Sequence, residues 1–463
     1  MAVAFLKSNK KTVEESKAAR QNVRKQGEKR EKMGRMDLKG ATQFIQETIQ
    51  EAEMIGQERA ARNQELVEAV MAGEPGARPR VIEEIIKLLE EYGIEPEGMD
   101  RGQCAYEIYK YAWGLGPVEE LYRNPEVNEI RVNGPDEVYV LRNIKNEKVN
   151  VKFKDDEHVM KIVTRMTMHD RGVALNKSSG IIESMRKDGT RITATCPPIT
   201  ENTTFVLRKH TPRVLTPEEL IASGTMDEKT WVILKTLVKG RANILVAGGV
   251  GSGKTTFVRT LFSQSSENAR TVVLETDREL FLRRMFPSWD IVEMEEHPEI
   301  GKTLEILFRT ALRYSPNMVL VGEFRGVGEA KEAVRACLRG HNSIATAHFG
   351  SPQEAIEGTG RLLLEEKINL PERTAIAMVA SAYNIVVQMF GDSTRGVIKV
   401  ESVTEVVPHH GVMEYIDLIR WIPEEDDYLA GRWHCKNKPS ERLIRRLHKY
   451  GVVTKELEEA CLI

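Results

Sequence analysis

One short segment in the middle of the chain constrains the fold more than any other feature. Residues 248–255 read Gly-Gly-Val-Gly-Ser-Gly-Lys-Thr and match the complete pattern G-x-x-x-x-G-K-[ST]. An apolar, strand-sized run precedes the motif, and residues 256–262 have the composition of a helix. A strand, a glycine-rich turn and a helix N-terminus in this order aim successive backbone N–H groups at an anion. The motif therefore predicts a phosphate-binding loop.

The residue types within this loop indicate separate roles. Lys254 supplies the charge that neutralises the β- and γ-phosphate oxygens, and Thr255 offers its hydroxyl to Mg²⁺. The other residues contribute backbone N–H groups around the phosphates. The predicted nucleotide-binding residues of the loop are Gly248, Gly249, Val250, Gly251, Ser252, Gly253, Lys254, Thr255 and Thr256. We therefore expect ATP and Mg²⁺ as ligands.

Carboxylates that follow two further apolar runs are candidates for the chemistry of hydrolysis. Residues 318–321 form a strand-sized run that leads through Gly322 to Glu323, the candidate general base or water-orienting group. A second run, 271–274, is followed by Glu275 and Glu279. Of this pair, one is a candidate for holding Mg²⁺ through water, and we assign that role to Glu275. The other is alternatively a helix-start acid favoured by the helix dipole.

His348 closes a third strand-like run, residues 343–348. In a parallel α/β sheet, ligand groups collect at the ends of the strands. A lone histidine is commonly a structural residue, but this position in a nucleotide-binding domain favours a sensor that hydrogen-bonds the γ-phosphate.

Hydrophobic periodicity divides the chain into six parts. Residues 7–36 are rich in Lys, Arg, Glu and Gln and poor in large apolar groups, which predicts a solvated tail or a lone surface helix. Apolar residues then recur at helical spacing, and later alternate as in half-buried strands at 128–134, 137–143, 191–196 and 203–209. Beyond a proline-containing linker, strands and helices alternate to about 421, which predicts a parallel α/β sheet. The predicted parts are a charged tail (1–38), a helical subdomain (39–112), an α+β domain (113–210), a linker (211–225), a nucleotide-binding domain (226–423) and a C-terminal helical appendage (424–463).

Composition narrows the class of protein. A formal net charge of -2 and an aromatic content of 6% give no case for a nucleic-acid partner. No apolar run approaches the ~20 residues that cross a bilayer, and the apolar part of the N-terminus is too short for a secretory signal. The five cysteines show no paired CxxC spacing, so neither a disulfide framework nor a zinc site is expected. These features favour a cytoplasmic protein.

Four segments, in this order, resemble the Walker A, Asp box, Walker B and His box of the type II/type IV secretion ATPases. They are GGVGSGKTT (248–256), the acidic segment from Glu275, LVGEFRG (320–326) and GHNSIATAHFGSP (340–352). Upstream, residues 114–140 and KDGTRI (187–192) resemble the N-terminal domain of the CpaF-like proteins of the Flp/Tad pilus-assembly branch. The resemblance covers about residues 80–423.

The resemblance implies a RecA-like motor domain, a homohexamer and a nucleotide held between the α+β and motor domains. It implies arginines near the phosphates, for which the candidates are Arg191 and Arg208 in the α+β domain and Arg313 and Arg325 in the motor core. It also implies a cytoplasmic motor that associates peripherally with the inner membrane. That motor powers pilus assembly or protein secretion through an inner-membrane platform protein, with a hinge near residues 211–216.

Three positions depart from the family pattern. Thr276 follows Glu275 where the family has Asp, Met185 stands where arginine is common, and Phe349-Gly350 replaces Ala-Asn after the histidine. The departure at Thr276 motivates an alternative function, a nucleotide-binding regulator with little turnover. A RecA-like nucleic-acid translocase is a further alternative, which would require a basic groove with exposed aromatic residues.

Overall fold

The computed structural model describes residues 33–142, 145–170, 174–209, 213–323, 329–365, 370–409, 412–425 and 427–463. It is a mixed α/β structure whose described residues divide into two compact units. The first unit contains the residues up to Val140 and Glu147–Lys209, and the second contains Leu141–Asn146 and the residues from 213 onward.

The first unit begins with a helical subdomain. Strands β1 (Gly34–Met36) and β2 (Ile94–Pro96) pair in parallel. The helices are α1 (Leu38–Thr48), α2 (Ala52–Ile55), α3 (Gln57–Met71), α4 (Ala77–Glu91) and α5 (Arg101–Ala112). Their apolar faces form one core, as helical periodicity predicts. The predicted tail differs from the structure at its end, because residues 34–36 pair with β2; residues 1–32 lie outside the described residues.

The rest of the first unit is an antiparallel sheet with two helices packed against it. Its elements are α6 (Glu119–Arg123), β3 (Val127–Gly134), β4 (Glu137–Arg142), β5 (Lys145–Val149), α7 (Asp156–Thr167), β6 (Ile181–Met185), β7 (Arg191–Thr195) and β8 (Thr204–Arg208). The strand order is β5-β4-β3-β8-β7-β6. Helix α7 buries Val159, Ile162 and Met166 against one face of the sheet. The four strands predicted from alternation are confirmed as β3, β4, β7 and β8.

The second unit contains a nine-stranded sheet with helices on both faces. Its helices are α8 (Pro217–Ala222), α9 (Glu228–Lys239), α10 (Lys254–Phe262), α11 (Leu282–Met285), α12 (Leu304–Ala311), α13 (Glu329–Leu338), α14 (Pro352–Glu365), α15 (Glu372–Ala382), α16 (Glu441–Lys449) and α17 (Thr454–Glu459). Its strands are β9 (Ile244–Gly248), β10 (Thr271–Glu275), β11 (Ile291–Glu295), β12 (Met318–Val321), β13 (Asn342–Ala347), β14 (Ile385–Asp392), β15 (Val397–His409), β16 (Val412–Glu424) and β17 (Asp427–Cys435). The strand order is β11-β10-β12-β13-β9-β14-β15-β16-β17.

The sheet is parallel only as far as β14. Strands β15, β16 and β17 pair antiparallel, so the predicted parallel alternation up to residue 421 is wrong for this part. The connections after β14 are a few residues long, whereas a parallel crossover needs a dozen or more. The segment predicted as a helical appendage likewise begins with β17 and only then forms α16 and α17.

The linker region contains a capped helix start. The side chain of Thr216 accepts a hydrogen bond from Glu219 N, the side chain of Glu219 caps Thr216 N in return, and Pro217 is the first helical residue. None of the helices formed by the described residues combines the length and the apolar composition needed to span a bilayer.

Candidate nucleotide site

Three neighbouring parallel strands bring the predicted site residues to one edge of the sheet. Strand β13 lies between β12 and β9, and all three run in the same direction. Glu323 follows the carboxyl end of β12, His348 follows that of β13, and the glycine-rich loop follows that of β9. The carboxyl edge of an open parallel sheet is where ligands bind in this class of fold.

The loop has the backbone conformation that its glycines predict. Gly251 and Gly253 have φ values of +74° and +81°, in the left-handed region that disfavours other residues. Gly253 is also the N-cap of α10, so the first N–H groups of this helix face the loop. Val250 is 84% exposed, whereas the side chain of Lys254 is buried. The loop is therefore a backbone cradle with one buried cation beneath it.

Lys254, His348 and Glu323 form a continuous chain of contacts. Lys254 Nζ lies 2.9 Å from Gly248 O, 2.8 Å from Gly249 O and 3.2 Å from His348 Nδ1. On the other side of the ring, His348 Nε2 lies 2.6 Å from Glu323 Oε1. An ammonium group has only donors, so Nδ1 accepts from Lys254, and the proton of the neutral ring is on Nε2, the atom close to Glu323. The imidazole thus connects the buried cation to the carboxylate.

Thr255 and two acids lie around the start of α10. Thr255 Oγ1 is 3.3 Å from Glu279 Oε2, so a hydroxyl and a carboxylate, both oxygen ligands of the kind that Mg²⁺ prefers, lie side by side. Glu275, our predicted metal residue, is buried and accepts hydrogen bonds from Glu279 N and Leu280 N, each at 2.9 Å. Burial raises the pKa of Glu275 to about 8, and these two donors oppose the shift.

This arrangement indicates different roles for Glu275 and Glu279. Glu275 Oε1 holds the loop after β10 through its two hydrogen bonds. The raised pKa of Glu275 favours its protonated form, and a protonated carboxyl group is a poor metal ligand. Glu279 faces the hydroxyl of Thr255 instead. In this conformation the geometry favours Glu279 over Glu275 as the acid beside a bound metal.

Two buried polar side chains near the site are not among the residues predicted from the sequence. Arg259 on α10 donates to Leu280 O at 3.2 Å and also to Glu279 O, so it holds the loop that carries Glu279. Gln388 on β14 donates to Phe349 O at 3.2 Å, directly after His348. Neither residue belongs to a local motif. An arginine or glutamine inside an otherwise apolar segment was the available signal, because buried polar groups need partners.

The departure at Phe349 has a packing explanation. Its ring lies against the backbone of Gly358 on α14, where a β-carbon would collide with it. Gly350 N, in turn, donates to Glu354 Oε2 at 3.0 Å. The two residues therefore fix the start of α14 relative to His348.

Of the candidate arginines that the structure describes, none lies at this edge within the second unit. Arg313 is exposed in a 3₁₀ turn, Leu312–Tyr314, that precedes β12, so it lies at the opposite edge of the sheet from the loop. Arg325 lies outside the described residues. Arg191 and Arg208 belong to the first unit, where they are register partners on β7 and β8.

Comparison with known proteins identifies several similar sequences. Residues 112–390 match the family model described as type II/IV secretion system protein. An uncharacterized protein of Methanocaldococcus jannaschii is 26% identical over 348 residues, 73% of this chain and 60% of the relative. This chain therefore spans less than two thirds of that relative.

VirB11, a type IV secretion system protein of Brucella suis, is 27% identical over 286 residues, 55% of this chain and 77% of the relative. The crystal structure of the Brucella suis VirB11 ATPase in complex with sulphate aligns with a TM-score of 0.31 and 25% identity. This alignment covers 60% of this chain and 91% of that structure.

Proposed function

Because the chain belongs to the type II/IV secretion system protein family, we propose that it is an ATP-hydrolysing motor of a secretion or pilus-assembly system. The observation that carries this proposal is the Lys254–His348–Glu323 chain at the carboxyl edge of the sheet. It joins a phosphate-binding cation to a carboxylate through a group that can exchange a proton on either side.

The proposed role of the loop is to hold the phosphates of ATP. Lys254 is satisfied by two loop carbonyls and His348, and a phosphate oxygen is a stronger acceptor for an ammonium than a carbonyl. The N–H groups at the start of α10 add further donors. Mg²⁺, when bound, would offset phosphate charge; Thr255 and Glu279 are the residues that would hold it.

Glu323 is the proposed general base or water-orienting group. Its Oε1 lies 2.6 Å from His348 Nε2, and this contact orients the carboxylate. His348 is the proposed sensor, because movement of Lys254 towards a phosphate would change what Nδ1 contacts. We propose that nucleotide state reaches Glu323 by this path.

The finer assignments extend the proposal. Residues 114–140 and 187–192 support a CpaF-like protein of the Flp/Tad branch that works as a homohexamer on an inner-membrane platform protein. Arg191 and Arg208 are the proposed phosphate-contacting arginines. Arg313 faces away from the loop of its own chain, so a role for it would have to be at a neighbouring subunit.

ATPase assays of three variants test the core proposal. We expect Lys254→Ala to abolish nucleotide binding, and Glu323→Gln to retain binding while turnover falls about 10²- to 10⁴-fold, as for loss of a general base. Lys161→Ala, an exposed lysine on α7, is the matched control and should be unchanged. Turnover that survives both site substitutions would exclude this site as the engine.

Two other outcomes separate the alternative functions. Tight ATP binding by the wild type with no turnover, even with native membrane present, would favour a nucleotide-binding regulator. Hydrolysis that is stimulated by DNA and falls steeply with salt would favour a nucleic-acid translocase. ATP-dependent co-purification from native membrane, followed by identification of the bound proteins, tests the assignment to a pilus or secretion platform.

A further inference from the structure

A polar cavity lies at the edge of the nine-stranded sheet opposite the glycine-rich loop. Its volume is about 280 Å³, close to the lower end of the ~300–1,000 Å³ found for ligand pockets. Asn384, which lines it, immediately precedes β14, and β14 runs parallel to β9. The cavity is therefore at the amino-terminal edge of these strands, whereas the loop follows their carboxyl ends.

Helix α16 supplies one wall and most of the charge. Four cations on this helix line the cavity: Arg442, Arg445, Arg446 and Lys449. Their spacing of three, four and seven residues places them on one face, while Leu443 and Leu447 are buried in the core. A row of cations on one side of a helix is commonly exposed to bulk solvent. On α16, the row lines a cavity instead.

Most of this charge has no carboxylate beside it. Arg445 pairs with Glu441 at 3.6 Å. Arg446 donates to Arg241 O at 3.0 Å and to Asn243 Oδ1 at 3.3 Å, both uncharged acceptors. Within the described parts of the chain, neither Arg442 nor Lys449 forms an ion pair. Within the described residues, Arg442, Arg446 and Lys449 thus line the cavity with no carboxylate at ion-pair distance.

The opposite wall carries uncharged polar groups and one buried acid. Ser381 and Asn384 offer a hydroxyl and an amide. Glu405 is buried and already accepts from Ser440 N at 2.7 Å and Ser440 Oγ at 2.5 Å. Burial raises the pKa of Glu405, against the influence of the Ser440 donors and Arg442. This carboxyl group is thus held by Ser440, and it is the one acid among the described residues that line the cavity.

We propose that this cavity binds a phosphate group, carried by a soluble phosphate ester or by a phospholipid headgroup. A tetrahedral phosphate can accept hydrogen bonds from both walls at once, and guanidinium groups match its oxygens in pairs. A carboxylate offers two acceptor oxygens in one plane, whereas the phosphate of a monoester offers three. A bound phosphate would tie α16 to the amino-terminal edge of the sheet, remote from the nucleotide site.

Binding measurements on the full-length protein with ADP and Mg²⁺ present test this proposal. The soluble probes are inorganic phosphate and glycerol 3-phosphate, followed by calorimetry. The membrane probe is phosphatidylcholine vesicles with or without phosphatidylglycerol, followed by co-sedimentation. We expect Arg442→Ala/Lys449→Ala to weaken binding by about 10-fold or more, and Arg442→Lys/Lys449→Arg to retain it.

The matched control removes two exposed cations outside the cavity, as Arg432→Ala/Lys455→Ala, and should bind like the wild type. Binding of glycerol 3-phosphate alone identifies a soluble ester, and binding of phosphatidylglycerol vesicles alone identifies a headgroup; both support the proposal. Equal affinity of the wild type and Arg442→Ala/Lys449→Ala, or no binding of any probe to the wild type, overturns it. A glutamate-rich peptide that binds more tightly than every phosphate probe also overturns it, in favour of an acidic protein partner.

Discussion

The two large sheets of this protein expose their side chains in opposite ways. In the second unit β9, β10 and β12 are buried at every position, and their residues feed two separate cores, one on each face. In the first unit β7 and β8 alternate between buried and accessible residues. A parallel sheet that is covered by helices on both faces has no face exposed to solvent. An antiparallel sheet that is covered on one face has its other face accessible.

This difference in burial determines where polar side chains occur in each sheet. In the parallel sheet the strands are apolar along their length, so Glu323 and His348 occur where strands end. In the antiparallel sheet the polar residues stand along the strands, where Arg191 pairs in register with Arg208, and Arg208 with Glu129. Candidate functional residues are therefore found at strand ends in one unit and on a sheet face in the other.

The largest expected effect comes from removing Arg191 and Arg208, the two arginines on the sheet of the first unit. Under the proposed function, we expect Arg191→Ala and Arg208→Ala each to lower ATP turnover about 100-fold or more, because arginines near transferred phosphates contribute effects of this size. Arg208 is exposed, so Arg208→Ala is expected to change the unfolding free energy by at most about 0.5 kcal/mol. Thr193→Ala, on the same face of β7, is the control for both measurements. Unchanged turnover in both arginine variants would remove them from the site.

Equivalent truncations in the two sheets compare burial directly. Val246→Ala in β9 removes a fully buried side chain and is expected to cost about 2 kcal/mol of unfolding free energy. Val206→Ala in β8 lies on the accessible face and is expected to cost at most about 1 kcal/mol. Urea titration with hydrogen-exchange mass spectrometry assigns each loss to its own sheet. Equal losses would contradict the contrast in burial.

A substitution in β14 tests whether nucleotide binding by the glycine-rich loop, which follows β9, depends on this neighbouring strand. A β-carbon on Gly391 would lie 2.5 Å from Ser252 Cα, so Gly391→Ala should displace the loop and weaken nucleotide binding about 10-fold. Gly102→Ala on α5 in the first unit, where an added β-carbon meets only the Asp100 carboxylate at 3.1 Å, is the control. Fluorescent-nucleotide titration measures both; identical affinities would show that the loop tolerates the contact.

The pH dependence of stability tests the burial of Glu275. Its pKa is about 8 in the folded protein, above the ordinary value of a glutamate, so the folded state binds more protons between these values. Its contribution is thus fully present at low pH and is lost as pH rises through about 8. We expect Glu275→Gln, which retains an acceptor for Glu279 N and Leu280 N, to show a smaller fall in melting temperature from pH 5 to 8.5. Parallel curves for the two proteins would mean that Glu275 is ionised when folded.

Local patterns were sufficient for some features and not for others. The glycine-rich turn between a strand and a helix and the alternating strands of the first unit depend on residues that are close in sequence, and the structure confirms them. The antiparallel strands after β14 were missed because their turns are short and their apolar content is high. Arg259, Gln388 and Gly391 were missed because their partners are 20 to 139 residues away.

By itself, the sequence determined a glycine-rich loop between a strand and a helix, the acids and the histidine at strand ends, and the helical or strand character of most segments. These features follow from short-range spacing. Only the tertiary structure decided that β13 lies between β12 and β9, which brings His348 between Lys254 and Glu323. It also decided that Glu275 is buried and that α16 faces a cavity. The order of strands and the burial of a side chain depend on packing between distant segments, which no local pattern records.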